Sequence, residues 1–271
     1  MTNSSQSDSP IVPQQEEPGA QMTFFEHLVE LRKRIVNSLI AIGIGAMVGW
    51  YVAPHFVNWI VEPVKKALIN AHLEPKLIYT NPTGYLNMLL TLAIYIGIVL
   101  ASPIVLHQIW LFVAPALYKH ERGAITGFLF STVLLFLGGI AFGYFVMLPY
   151  MLNFLIKLSL GGPITPLFSI NEYFDLILLV LLGLGLVFET PILIFFLSLF
   201  GIVTPQFLLK NFRYAILVIA IVAAVVTPTP DATTMLVFMA PMVGLYFVGI
   251  AVSAVVVRKR KRRLAEAAEA H

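Results

Sequence analysis

Between residues 35 and 257 the chain is a succession of long apolar runs, and such a chain can fold only with lipid as its main solvent. A helix crossing the hydrocarbon core of a bilayer needs about 20 apolar residues. Residues 35–53, 86–101 continuing through 104–113, 124–149 and 176–200 meet that standard, and two further runs follow at 214–226 and 234–257. Composition agrees: 59% of the 271 residues are hydrophobic and 11% are charged, against about 25% charged in ordinary soluble domains. So few charges could not cover a chain this long in water. The expectation is an all-α polytopic membrane protein with six transmembrane helices.

The last two runs are joined by Thr227-Pro228-Thr229-Pro230-Asp231, which forbids a continuous helix and reads as a tight hairpin. The fifth run has 13 residues, about 20 Å of helix against a core of roughly 30 Å. Its other end is fixed near Lys210 and Arg213. Either the Pro-rich turn lies inside a thinned or water-penetrated membrane, or the helix tilts little and the turn reaches the headgroups.

Lysine and arginine orient the chain. Thirteen of them (Arg32, Lys33, Arg34, Lys119, Arg122, Lys210, Arg213 and the six of 258–263) fall on the side of the N terminus. Four (Lys65, Lys66, Lys76 and Lys157) fall on the other. The positive-inside rule places the thirteen, and both termini, in the cytoplasm. Residues 1–21 are rich in Ser, Gln, Pro and acids and are expected to be a disordered tail; they lack the pattern of a cleaved signal peptide. The membrane domain is expected over 22–257. A tail at 258–271, first basic and then acidic and Ala-rich, follows it and touches anionic lipid. On the outer side, residues 54–84 are expected to form a cap, with a short amphipathic helix (Phe56, Trp59, Ile60, Val64) lying on the membrane. Residues 161–171 form a second outer loop.

One ionisable residue stands out within the apolar runs. Glu189 is the fourteenth of the 25 residues 176–200, near mid-bilayer, where a carboxylate costs about 2.5–3.5 kcal/mol on insertion scales. It calls for a proton, water or a partner chain; alternatively it is protonated and serves packing alone. Pro191 lacks a backbone N–H and is expected to leave a carbonyl free nearby.

On the inner side, Phe24, Phe25, Leu28 and Leu31 make the apolar stripe of an interfacial helix leading into the first span. Glu26 and Glu30 lie on its polar side, and the short inner loop reads Tyr118-Lys119-His120-Glu121-Arg122. Glu30 and Glu121 are thus two carboxylates at one membrane face. A guanidinium pairs with a carboxylate through two directed hydrogen bonds, so two such acids could tell paired arginines from paired lysines. The alternative is that each simply neutralises neighbouring Arg and Lys.

Enzymatic chemistry finds no support. Without cysteine there is no disulfide, thiol nucleophile or cysteine zinc site. GK[ST], HExxH and GxSxG motifs are missing, and His107 stands alone. No catalytic residue, metal, cofactor or nucleic-acid partner is expected. A proton-coupled secondary transporter working through Glu189 and a structural membrane scaffold remain as competing classes.

At five stretches the sequence resembles the TatC family of the twin-arginine translocase. They are Phe24 with His27-Leu28-Val29-Glu30-Leu31-Arg32-Lys33-Arg34; Ser102-Pro103 with His107-Gln108-Ile109-Trp110-Leu111-Phe112-Val113-Ala114-Pro115-Ala116-Leu117-Tyr118-Lys119-His120-Glu121-Arg122; Phe142-Gly143-Tyr144-Phe145 with Pro149; Phe188-Glu189-Thr190-Pro191; and Thr227-Pro228-Thr229-Pro230-Asp231 with Pro241 and Leu245-Tyr246. The resemblance implies a curved, glove-like six-helix bundle whose last two helices are short. It implies a receptor in the bacterial cytoplasmic membrane for twin-arginine signal peptides of folded precursors, with Glu30, Glu121, Leu31, Arg32 and Phe112 as the contact set. It further implies that Glu189 meets single-span TatA/TatB-type subunits and the inserted signal peptide, and that Pro63, Pro115, Pro191 and Asp231 are structural. Assembly into a homo-oligomeric receptor complex driven by the proton gradient completes the implied picture. Phe247 departs from it, since many relatives carry an acid after Leu-Tyr.

Overall fold

The computed structural model describes residues 24–113, 122–160, 167–227 and 231–269, all of them helical or in short connections. Helix α1 (Phe24–Asn70) and α2 (Gly84–Val113) form an antiparallel pair. Helix α3 (Arg122–Phe142) passes through a π-helical turn (Gly143–Met147) into α4 (Leu148–Ser159). Then come α5 (Ile170–Val187), α6 (Thr190–Leu199), α7 (Pro205–Lys210), α8 (Phe212–Val226) and α9 (Ala232–Glu269). Five segments are long and apolar enough to cross a membrane: Leu28–Asn70, Gly84–Phe112, Gly127–Ser159, Ile170–Leu199 and Ala232–Arg260. A shorter apolar helix, α8, has 15 residues, about 22 Å of helix.

Several boundaries differ from those expected. The cap at 54–84 is not a separate interfacial helix, because α1 runs unbroken through Pro54 and Pro63 to Asn70. Its Ile60 and Val64, expected to lie on the membrane, are buried against the rest of the bundle, whereas Phe56 and Trp59 stay largely exposed. The third run continues past Pro149 to Ser159, and the fourth begins at Ile170 and breaks at 188–189. Of the last two helices only α8 is short. Helix α9 reaches Glu269 because Arg, Lys, Leu, Ala and Glu, all strong helix formers, continue it beyond the apolar run. The tail at 1–21 and the turn residues 228–230 lie outside the described residues.

At three prolines a side-chain hydroxyl takes the carbonyl that proline leaves without a donor. A proline cannot donate to the carbonyl four residues back. For Pro103 that is Val99, which accepts from Ser102 Oγ at 2.7 Å. For Pro191 it is Val187, which accepts from Thr190 Oγ1 at 2.6 Å, so the carbonyl expected to be free is occupied. For Pro63 it is Trp59, whose oxygen accepts from the hydroxyl of Tyr144 at 2.6 Å. Tyr144 lies in the π turn, its ring stacked on Trp59 with centroids 3.9 Å apart. The π turn itself precedes Pro149, and Leu148 N–H reaches back to Gly143 O in place of the regular spacing. Tyr144→Phe should therefore leave the Trp59 carbonyl without a donor and cost about 1–2 kcal/mol. The check is thermal unfolding in detergent; an unchanged Tm would mean that another donor serves that carbonyl.

The largest core lies where α1, α2, α4 and α5 meet, around Val64, Leu68, Leu92, Met151, Phe174 and Ile177. There the connections are pinned: Ile78 N–H donates to Phe168 O and Ile170 N–H to Ile78 O, both at 3.0 Å. Towards the start of α1 the bundle opens. Ile35, Leu39, Ile40, Ile44 and Met47 are exposed, and this half of α1 is held to α2 through small residues. The far side is closed by α6 against α9, where Ser198 Oγ donates to Ser253 Oγ at 2.7 Å. The start of α1 and the end of α2 thus pair at one end of the bundle, and Glu30, Leu31 and Phe112 lie there.

Candidate functional site

Glu30 and Arg34 are one helical turn apart on α1, a spacing that puts both on one face. Glu30 Oε1 accepts from Arg34 Nη2 at 2.8 Å, and the two side chains are only 17% and 22% exposed. The same guanidinium crosses to α2, where Nη1 donates to Gln108 Oε1 at 3.2 Å. Its Nε is buried and has no hydrogen-bond partner among the described residues. Leu31 and Phe112 border a cavity of about 270 Å³ between the two helices, together with Arg34, Ser38 and Gln108. The result is a half-buried carboxylate beside an apolar slot, with an arginine already seated on it.

Of the five contact residues expected at this face, Glu30, Leu31 and Phe112 are brought together at the α1–α2 end. Arg32 is exposed and does not border the cavity. Glu121, and with it Pro115, lies outside the described residues, as does the side chain of Glu26. Gln108 was not singled out by sequence reasoning. Its signal was a lone amide in the apolar run 104–113, one turn before Phe112.

Glu189 occupies the break between α5 and α6. Its own backbone makes that break: Glu189 N–H donates three residues back to Leu186 O, while its carbonyl accepts from both Ile192 and Leu193. The side chain is 8% exposed, and neither carboxylate oxygen has a hydrogen-bond partner among the described residues. The two residues that follow it border different cavities. Thr190 borders a cavity of about 570 Å³ shared with Asn211, Tyr214 and Tyr246, and Pro191 one of about 430 Å³ shared with Ser131 and Val248. A buried carboxyl without a partner is costly.

Asp231 sits just before α9, and its Oδ1 accepts from Thr234 N–H at 2.7 Å, the geometry of a helix N-cap. Among the described residues no three His, Asp or Glu side chains gather closely enough to hold a metal ion.

With this geometry established, comparison with known proteins is informative. The sequence profile of the family described as Sec-independent protein translocase protein (TatC) matches residues 26–241. A Sec-independent protein translocase protein TatC of Koribacter versatilis is 49% identical over 249 residues, 92% of this chain and 91% of that protein. The TatC of Aquifex aeolicus is 34% identical, over 89% of this chain and 98% of that one. A crystal structure of a twin-arginine translocase receptor, TatC, superposes with a TM-score of 0.72 at 33% identity, covering 86% of this chain and 100% of the other.

Proposed function

Because the chain belongs to the TatC family of Sec-independent protein translocase proteins, we propose that it is the receptor subunit that binds twin-arginine signal peptides of folded precursors at the cytoplasmic face of a bacterial membrane. The observation that carries this reading is Glu30: a half-buried carboxylate that already holds a guanidinium beside an apolar slot bordered by Leu31 and Phe112. A peptide with two arginines followed by an apolar segment matches that combination of charge and surface. Glu121, at the other end of the α1–α2 pair in sequence, supplies the second carboxylate. Arg32, exposed next to Leu31 on α1, contacts the peptide backbone or flanking residues.

The wider arrangement follows the same reading. Six crossings, with α8 as the fifth, make a curved, glove-like bundle with both termini in the cytoplasm, in accord with the thirteen-to-four division of basic residues. Single-span subunits dock on the lipid-facing surface of α8 and α9, where Leu217, Val218, Ile221 and Val225 are exposed. Glu189 meets those subunits or the inserted signal peptide. Copies of the chain assemble with them, and the proton gradient drives transport. Residues 22–257 are the working membrane domain, and Pro63, Pro115, Pro191 and Asp231 serve its structure.

The test is binding of the purified chain in nanodiscs to a signal-like peptide carrying Arg-Arg and to its Lys-Lys counterpart. The expected result is a preference for Arg-Arg, with at least a tenfold loss in Glu30→Gln and in Glu121→Gln, the range for a charge-assisted pair that loses one partner. Equal binding of the two peptides, or binding indifferent to both substitutions, would remove the receptor reading.

A further inference from the structure

The acid at this face is not vacant in the resting chain, and how it is filled has consequences for binding. Arg34 reaches Glu30 through one nitrogen, Nη2. Its other terminal nitrogen is committed to Gln108, and its Nε faces no acceptor among the described residues. The pair is therefore a single-point contact, not the two-pronged contact that carboxylate and guanidinium geometry favours. Arg32 and Lys33, nearer in sequence to Glu30, are exposed.

Resting on the receptor reading above, we propose that Arg34 is a built-in competitor: its guanidinium occupies on Glu30 the place that an arginine of the incoming peptide takes, so that binding is an exchange of one guanidinium for another. Three features make the exchange feasible. The internal pair joins neighbouring turns of one helix and is partly exposed, a class of ion pair that contributes little. An incoming arginine, free to orient, can present both prongs and so displace a single-point partner. The displaced side chain also keeps an anchor, because its bond to Gln108 can persist while that to Glu30 is given up.

The physical consequence is a threshold. A competitor tethered to the site weakens every ligand that must displace it by the same factor, whatever the ligand's own affinity. Arg-Arg peptides, with stronger intrinsic pairing, stay above the threshold; Lys-Lys peptides fall below it. The same penalty assists release, since Arg34 returns to Glu30 as the peptide leaves.

The experiment compares the full chain in nanodiscs with Arg34→Gln and Arg34→Lys, titrated with labelled Arg-Arg and Lys-Lys peptides, with thermal unfolding of all three recorded in parallel. Arg34→Gln is expected to bind both peptides about three- to fivefold more tightly, leaving their ratio unchanged, as removal of a modest ion pair requires. Arg34→Lys keeps the charge but loses the planar fork, and is expected to fall between. Weaker binding by a well-folded Arg34→Gln would overturn the proposal and make Arg34 a positioning residue for Glu30. Equality of Arg34→Lys with the unmodified chain would overturn it in favour of plain charge repulsion. If neither the unmodified chain nor Arg34→Gln binds an Arg-Arg peptide, the receptor reading itself fails and the proposal with it; binding by the unmodified chain without a gain in Arg34→Gln removes only the role given to Arg34.

Discussion

Gly97→Leu is expected to abolish the assembled α1–α2 pair, giving protein that unfolds at a much lower temperature and no longer binds an Arg-Arg peptide. The reason is the closeness of two backbones. A Cβ on Gly97 would collide with the backbone nitrogen of Ala46; one on Gly45 would lie 2.6 Å from Gly97 O, and one on Gly49 would collide with Ala93 O. In each case the obstacle is main chain, which cannot swing aside as a side-chain tip can. Close approach of this kind is what holds helices together in lipid, where no hydrophobic gain is available between them. Overpacking a tight site costs about 1–3 kcal/mol and more where nothing can shift, and leucine here should exceed the upper figure. The Arg34–Gln108 bond, already at 3.2 Å, would not survive separation of the helices. Gly43 supplies the control, since a Cβ there meets nothing within 4 Å and Gly43→Ala should leave stability and binding unchanged. A Gly97→Leu protein with the parent Tm and peptide affinity would refute this account of how the site is held.

The membrane class and the shortness of α8 were legible in the sequence, because each is a local property of composition or spacing. An apolar run shows its length directly, and a carboxylate in such a run cannot be overlooked. What it hid were properties that depend on a partner distant in the chain. Pro63 reads in the sequence as part of an outer cap, yet α1 continues through it, and Tyr144, 81 positions on, donates to the Trp59 carbonyl that Pro63 cannot serve. The free carbonyl expected at Pro191 was cancelled by its own neighbour, Thr190, and the Ser102-Pro103 pair works alike. At Ser102-Pro103 the hydroxyl directly before proline accompanies an unbroken helix, whereas Thr190-Pro191 opens a new one, so the same pattern does not by itself decide continuity. At the candidate site, Glu30 and Arg34 could be read as a one-turn pair, but the part of Gln108 depends on the register of α2 against α1. That register is set by Gly45, Gly49, Ala93 and Gly97, and nothing local to Gln108 records it.

Glu189→Leu is expected to give a protein that is more stable in detergent than its parent and at least tenfold slower in export of a folded precursor. Both halves come from one fact: a carboxyl 8% exposed, with neither oxygen hydrogen-bonded among the described residues. Burying a polar group without a partner costs about 1–3 kcal/mol by protein mutational measures. Leucine, of similar size, removes that cost and adds apolar contact in α5–α6, so the midpoint of thermal unfolding should rise. A side chain kept against such a cost belongs to a step that the isolated chain does not perform. The break it occupies, with cavities on either side of it bordered by Thr190 and Pro191, gives a second chain or an inserted peptide two routes of approach. Glu189→Gln separates charge from hydrogen bonding: export retained by Gln but lost by Leu would assign the residue a neutral donor–acceptor role, while loss in both would require the carboxylate itself. A destabilised Glu189→Leu would instead reveal a partner for the carboxyl within the chain, and parent-level export by that variant would reduce Glu189 to packing. More stable and less active is the combination expected of a residue kept for function at a cost in stability.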